Sequence, residues 1–322
     1  MNQVTAVIDL SGEIQLVDQA ILAKFESSST LLNLASRYLM DAGGKRVRAS
    51  MTLLAARLLG EPELSRVLNV ATAIEMIHAA SLVHDDLIDD AEVRRGRPTV
   101  HSRWGGNVAL MVGDYLFALA AGQMAEASDP RIIKIFARAV ERICEAELSP
   151  VTDVVPLELG LTQYYRKIGG KTAALFESAA EGGMIVGGGN TAQVEALRHY
   201  GYEVGLAFQI VDDVLDFTGD ERVLGKPAGH DLKEGTITLP VLYAIEMGAS
   251  DVVREAAETL EPAPELVAAA VAEVRRVCAT KRAMEDAERL IESAVERLDM
   301  FPDSPARDAL IDLAEFTTRR SM

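Results

Sequence analysis

From Leu64 to Asp90 apolar residues recur at three- and four-residue steps, and the segment closes on SLVHDDLIDD, with four aspartates in six residues. That period is helical. On a helix Asp85 and Asp89 share one face, one turn apart, and Asp86 and Asp90 form a neighbouring pair. Two carboxylates about 6 Å apart repel by roughly 3 kcal/mol at an effective dielectric of about 20. The helix macrodipole also disfavours negative charge at a C-terminal end. Acid runs are usually solvated helix ends. Here, however, the preceding Ala79-Ala80-Ser81-Leu82-Val83 reads as buried. Acids at the end of a buried helix need a cation, and clustered carboxylates suit a hard ion such as Mg2+ shared with a phosphate ligand.

A second segment repeats the design. Gly205 to Asp216, GLAFQIVDDVLD, is an apolar helix ending in Asp212, Asp213 and Asp216. One such cluster is a weak signal, and two are a strong one. The simplest geometry sets the two helices across a cavity, with metal ions bridging both clusters to one polyanion. Cations mark where anions would sit. Gly43-Gly44-Lys45-Arg46-Val47-Arg48 is a glycine turn with cations opening a helix, a phosphate-binding arrangement. Arg94-Arg95 follows the first cluster, Lys171-Thr172 sits within a helix, and Lys226 follows the second cluster. Metals on one side and bare cations on the other imply two anionic substrates.

The rest of the chain reads as helix, with no convincing strand, short repeat or low-complexity linker. Asp129-Pro130 and Ser304-Pro305 each read as an N-cap followed by proline at the first helical position. Gly187-Gly188-Gly189-Asn190 is a stop before a new start at Thr191, and Pro262-Ala263-Pro264 is the best loop. The expected fold is all-α, about a dozen helices in a single domain over residues 1–322. Hydrophobic residues make up 49% of the 322, enough for a large core. The net charge of -17 argues against nucleic acid or anionic lipid as a general partner. Two cysteines, Cys144 and Cys278, give no disulfide framework or zinc spacing and fit a cytoplasmic setting. The acidic start MNQVTAVIDLSGEIQ is not a signal peptide, and no apolar run is expected to span a membrane, which needs about 18 residues.

Five pieces together resemble the trans-isoprenyl diphosphate synthases, or polyprenyl synthetases: GGKRVR (43–48), LVHDDLIDDAEVRRGRPTVH (82–101), KTA (171–173), FQIVDDVLDFTGD (208–220) and GKPAGHDLKEGTITLP (225–240). They run in the family's order. The resemblance implies the helical isoprenoid synthase fold around a deep central cavity. It also implies a homodimer and head-to-tail joining of an allylic diphosphate to isopentenyl diphosphate. Mg2+ is the implied cofactor, about three ions per site with diphosphate bound, a hard ion shared between carboxylates and phosphates. By this resemblance Asp85, Asp89 and Asp212 are the main metal ligands, supported by Asp86, Asp213 and Asp216. Arg94, Lys171 and Lys226 would help hold the allylic diphosphate. Lys45, Arg48, His78 and Arg95 would take isopentenyl diphosphate, and Gln209 and Thr172 would stabilise an allylic cation. Without the family, His78 would read as a core histidine, as His84 still does.

Two positions depart from the family pattern. In Ala146-Glu147-Leu148-Ser149-Pro150, proline stands where the family has glutamine and should break a helix. Thr236 stands where the family often has lysine, so one phosphate cation is missing there. Product length turns on the wall before the first cluster. Ala80 and Ser81 are small, where short-chain members often place a bulky residue, and the two extra residues of common bacterial short-chain members are absent. Ile77, Ile74 and Ala73 come next, with Phe136 and Met111 as candidate floor. Each further turn of clear wall adds about 5.4 Å, and the expected product is medium to long, about C35 to C50 and centred on octaprenyl diphosphate. A short-chain synthase, a terpene cyclase and a non-catalytic subunit of a heteromeric synthase are the rivals. A terpene cyclase would not need the second cation set, and non-catalytic subunits lose the acidic clusters that this chain keeps.

Overall fold

The computed structural model describes residues 8–219 and 228–319. Among these the protein is helical apart from one two-stranded hairpin, Val93–Arg94 paired antiparallel with Arg97–Pro98. Its two-residue turn, Arg95-Gly96, has both φ values positive (52° and 74°). That backbone matches the right-handed twist of a hairpin.

The chain divides into two compact units. The first comprises Met1–Val140, Ser178–Arg198 and Met300–Leu310; the second comprises Glu141–Glu177, His199–Asp299 and Ile311–Met322. In the first, helices α1 (Ser11–Ala23), α2 (Thr30–Asp41), α3 (Val47–Ala56), α4 (Leu64–Ile88), α5 (Val100–Trp104) and α6 (Gly106–Glu126) follow in order. Helix α4 is the axis of this unit, packing along α6, α3 and α1. Its residues Val70, Ala71, Ala73, Ile74, Met76 and Ile77 are all buried. By length and composition alone α4 and α6 could each cross a membrane, but 67% of the apolar window of α4 is buried in the protein against 39% for α6. Burial of that extent is what a core helix shows.

Helix α7 (Pro130–Glu147) starts at the proline read from the sequence, and the Asp129 carboxylate accepts the Arg131 N–H at 2.9 Å. The last helix likewise starts at Pro305, with Ser304 Oγ accepting the Arg307 N–H at 3.2 Å. Helix α7 ends at Glu147, before Pro150, and Leu148 beyond it is 85% exposed. In the second unit α8 (Leu157–Ile168) runs into a π-helical turn, Gly169–Ala173, and then into the start of α9 (Ala174–Val186), whose residues from Ser178 on belong to the first unit. Helix α10 (Thr191–Thr218) begins after the glycine stop, where Asn190 and Gln193 cap each other's backbone N–H groups at 2.9 and 3.1 Å. The segment Leu239–Glu246 packs against α8 and against Ala279–Glu296.

Candidate active site

The first unit carries the first acidic cluster and one cation set. Asp85 and Asp86 lie in the last turn of α4, and Asp89 is its C-cap residue, donating its N–H to the Asp85 carbonyl at 2.8 Å. The aspartates sort by exposure. Asp85 is half-buried and Asp89 exposed, whereas Asp86 is buried and accepts from Arg94 Nε at 2.6 Å. Burial raises the Asp86 carboxyl above its usual range, and the Arg94 guanidinium works against that rise. Asp90 points to solvent, 3.4 Å from His101 Nε2.

Around His78 the cations converge. Burial pushes its imidazole well below the usual histidine range, and Arg48, Arg95, Arg46 and Arg94 push it further. His78 is therefore neutral near pH 7, able to donate or accept a hydrogen bond without adding charge. Arg95 donates to the Gly43 carbonyl, which ties the hairpin to the glycine turn. Lys45 is exposed and Arg48 half-buried at the start of α3. Three of the residues expected to act together, Arg48, His78 and Arg95, thus lie in one neighbourhood, and Arg94, expected on the other diphosphate, adjoins them. His84 packs against Phe117, with Nε2 3.2 Å from the Leu110 carbonyl, a satisfied histidine between α4 and α6.

In the second unit a hydrogen-bond chain joins the π-turn to the second cluster. Thr172 Oγ1 donates to Gln209 Oε1 at 2.7 Å, and Gln209 Nε2 donates to Asp213 Oδ1 at 2.8 Å. Tyr164 of α8 donates to Asp213 Oδ2 at 2.7 Å. Asp213 is buried, and burial pushes its carboxyl up to about 8. Asp216 is also buried and accepts the Asp231 N–H at 3.1 Å, while Asp212 is exposed. Lys171 pairs with Glu147 at 2.8 Å. Arg142 supports the π-turn from α7, donating to the Gly169 carbonyl at 3.0 Å and pairing with Glu177. Lys226 lies outside the described residues.

A pattern common to both clusters bears on metal. Asp89 and Asp212 are exposed and Asp85 half-buried, whereas Asp86, Asp213 and Asp216 are buried on protein donors. Among the described residues no three His, Cys, Asp or Glu side chains converge closely enough to hold an ion alone. Mg2+ binds through one or two carboxylates, substrate phosphates and water rather than in an all-protein cage. In the first unit the accessible oxygens of Asp85 and Asp89, and in the second unit that of Asp212, suit coordination of that kind.

On the expected tunnel wall, Ala73, Ile74, Ile77 and Ala80 are fully buried. Ser81 is half-buried, its hydroxyl donating back to the His78 carbonyl at 3.0 Å, so it makes no further polar demand on a hydrocarbon. Phe136 is half-buried on α7, and Met111 on α6 is 51% exposed. Sequence reasoning passed over Tyr164, Asp231 and Lys167. Lys167 stands one turn before Lys171, partly buried, and its ammonium is lowered by burial and by Lys171. The four-residue spacing of Lys167 and Lys171 was the available signal. For Tyr164 and Asp231 there was none, because their role depends on contacts distant in sequence.

The sequence profile of polyprenyl synthetase matches residues 29–274. The chain is 39% identical to heptaprenyl diphosphate synthase component 2 of Geobacillus stearothermophilus over 97% of each chain. It is 38% identical to octaprenyl diphosphate synthase of Haemophilus influenzae, over 96% of this chain and 94% of that one. A crystal structure of a polyprenyl synthase from Caulobacter crescentus with calcium and isoprenyl diphosphate superposes with a TM-score of 0.91. It is 34% identical and covers 100% of this chain and 98% of that one. Short-chain and geranylgeranyl synthases match as well.

Proposed function

Since the chain belongs to the polyprenyl synthetase family and is a prenyltransferase making a polyprenyl diphosphate, we propose that it condenses an allylic diphosphate with successive isopentenyl diphosphates to an all-trans medium or long product, about C35 to C50 and octaprenyl at the centre, by the tunnel-depth reasoning above. The observation that carries this length is the buried small residue Ala80, beside Ser81, immediately before the first acidic cluster. The whole chain acts in this reading as one catalytic domain, with both acidic clusters serving the same diphosphate.

Bound Mg2+, held by Asp85, Asp89 and Asp212, would supply Lewis-acid stabilisation of the departing diphosphate. The protein's own groups supply the rest. Arg94, Lys171 and Lys226 hold the allylic diphosphate, and Asp86, Asp213 and Asp216 buttress the cluster helices. Lys45, Arg48, Arg95 and neutral His78 hold isopentenyl diphosphate, with His78 contributing hydrogen bonding rather than charge. Gln209 is oriented at both ends, by Thr172 and by Asp213, so its amide dipole is fixed before positive charge develops on the allyl group. The double bond of isopentenyl diphosphate then forms the new C–C bond, and a proton leaves. No side chain stands out as its acceptor, and the released diphosphate is the proposed base.

A second copy of the chain is the proposed partner, supported by the apolar outward face of α6, where Leu110 is 44% and Met111 51% exposed. The test of function is product length from purified protein with farnesyl diphosphate, isopentenyl diphosphate and Mg2+. A product stopping at farnesyl or geranylgeranyl diphosphate overturns the length, and no consumption of isopentenyl diphosphate overturns the reaction. One further reading, as one subunit of a heteromeric synthase, is favoured by the Geobacillus relative, which is a component 2 of heptaprenyl diphosphate synthase. Activity of the chain expressed alone decides against it.

A further inference from the structure

Glu75 has no place among the groups assigned so far. It lies mid-way along α4, three residues before His78, and is 3% exposed. A carboxylate so buried must be paired. Its two oxygens meet two parts of one short segment. Oε1 accepts the backbone N–H of Ala49 at 3.1 Å, and Oε2 accepts Arg46 Nη1 at 3.2 Å. Ala49 is the third residue of α3, so Glu75 satisfies an N-terminal donor that helix geometry leaves open. No side chain local to α3 does this, because its N-cap residue Arg46 makes no capping hydrogen bond.

Arg46 is also unusual in backbone. Its φ of 49° and ψ of 35° are left-handed, which is unfavourable for any residue bearing a side chain and persists only where contacts over-determine it. Those contacts are present: besides Glu75, Arg46 Nη2 lies 2.8 Å from Asp18 Oδ1 of α1. Of the three cations in GGKRVR, Arg46 is therefore committed to two carboxylates. Lys45 and Arg48, on either side of it, are the two assigned to substrate.

We propose that Glu75 is the positioning residue of the isopentenyl diphosphate cations. By pinning Arg46 in its left-handed turn and capping α3, it fixes the direction in which Lys45 and Arg48 project. Its charge also offsets Arg46, so that Arg48, Arg94 and Arg95 can gather round a neutral His78. The inference rests on the proposed function for the identity of the ligand, not for the geometry.

The test compares Glu75→Gln, which keeps an acceptor for Ala49 but loses the charge opposite Arg46, with Glu75→Ala, which loses both. KM for each substrate, kcat and thermal stability are measured together. In Glu75→Ala the KM for isopentenyl diphosphate should rise about tenfold or more, the scale of one lost charged hydrogen bond. The rise should be smaller in Glu75→Gln, and KM for the allylic diphosphate should stay within about twofold in both. Equal rises for both substrates in step with a fall in melting temperature, or no change, overturn the proposal. If Glu75→Ala does not fold, Glu75→Gln decides by the same criteria. Calorimetric titration of inorganic diphosphate in EDTA gives a readout independent of turnover, since only bare cations can then hold it. Weaker binding by Glu75→Gln supports the positioning role, and wild-type affinity refutes it. Failure of the wild type to consume isopentenyl diphosphate would count against the proposed function alone.

Discussion

Gly205→Ala tests how tightly the second cluster is built. Gly205 lies in α10 against the π-turn. A Cβ there would come 2.6 Å from Ala173 Cα, 2.9 Å from Ala173 Cβ and 3.0 Å from Phe176 Cβ. Non-bonded carbons rest about 3.5–4.0 Å apart, so α10 and the turn must separate by about 1 Å. Gln209 is one helical turn further along the same face. Its 2.7 Å bond from Thr172 would stretch to about 3.7 Å, beyond hydrogen-bond length. Overpacking costs about 1–3 kcal/mol, and the lost bond about 1 more. Activity should suffer more than stability, since a misplacement of about 1 Å at reacting groups can cost on the order of 100-fold. The assay is kcat at saturating substrates and Mg2+, beside a thermal melt and helical circular dichroism. We expect kcat to fall about 10- to 100-fold with the helical signal retained and the melting temperature lowered by several degrees. A variant with kcat within about twofold of wild type and an unchanged melt would refute the reasoning, because the close approach would then carry nothing.

Three further outcomes are expected. Ala80→Tyr should shorten the principal product by filling the wall before the first cluster, and an unchanged length would show that Ala80 does not line the tunnel. Metal-free protein in EDTA should melt lower at pH 8 than at pH 5. The Asp213 carboxyl is raised by burial from 3.8 to about 8, so its contribution is complete below about pH 4 and is lost as pH climbs through 8. Asp213→Asn should flatten that slope, and a slope identical to wild type would contradict the assignment. Leu110→Glu, on the apolar face of α6, should shift the purified protein from dimer to monomer by light scattering, whereas an unchanged mass would place the interface elsewhere.

Legibility in the sequence followed the range of the interactions. Helix starts at Pro130 and Pro305 were readable because capping is settled within three residues. The acidic ends of α4 and α10 were readable because like charge after an apolar run is locally unfavourable and stands out. The short hairpin was not, since two residues per strand leave no alternation to detect. The sorting of the aspartates into buried and accessible members was not readable either. Asp213 takes Tyr164 from a segment 49 residues away, and Asp86 takes Arg94 from the first strand of the hairpin, past the end of α4. Glu75 reads in sequence as one acid in an apolar helix. Only the approach of the α3 N-terminus shows what it holds.

The π-turn at Gly169–Ala173 has a consequence for anyone transplanting or redesigning this scaffold. Helices have a phase, and a wider turn shifts it. The residues before the turn present Tyr164 to the second cluster, and those after it bury Phe176 and Glu177. A segment rebuilt as one uninterrupted α-helix would keep one of these faces and rotate the other away. Gly170 makes the detour possible, since any Cβ there would lie 2.6 Å from the Arg142 carbonyl oxygen. Lys171 and Thr172 are thus tied to a change of phase, and a grafted site would need the irregular turn as well as the side chains.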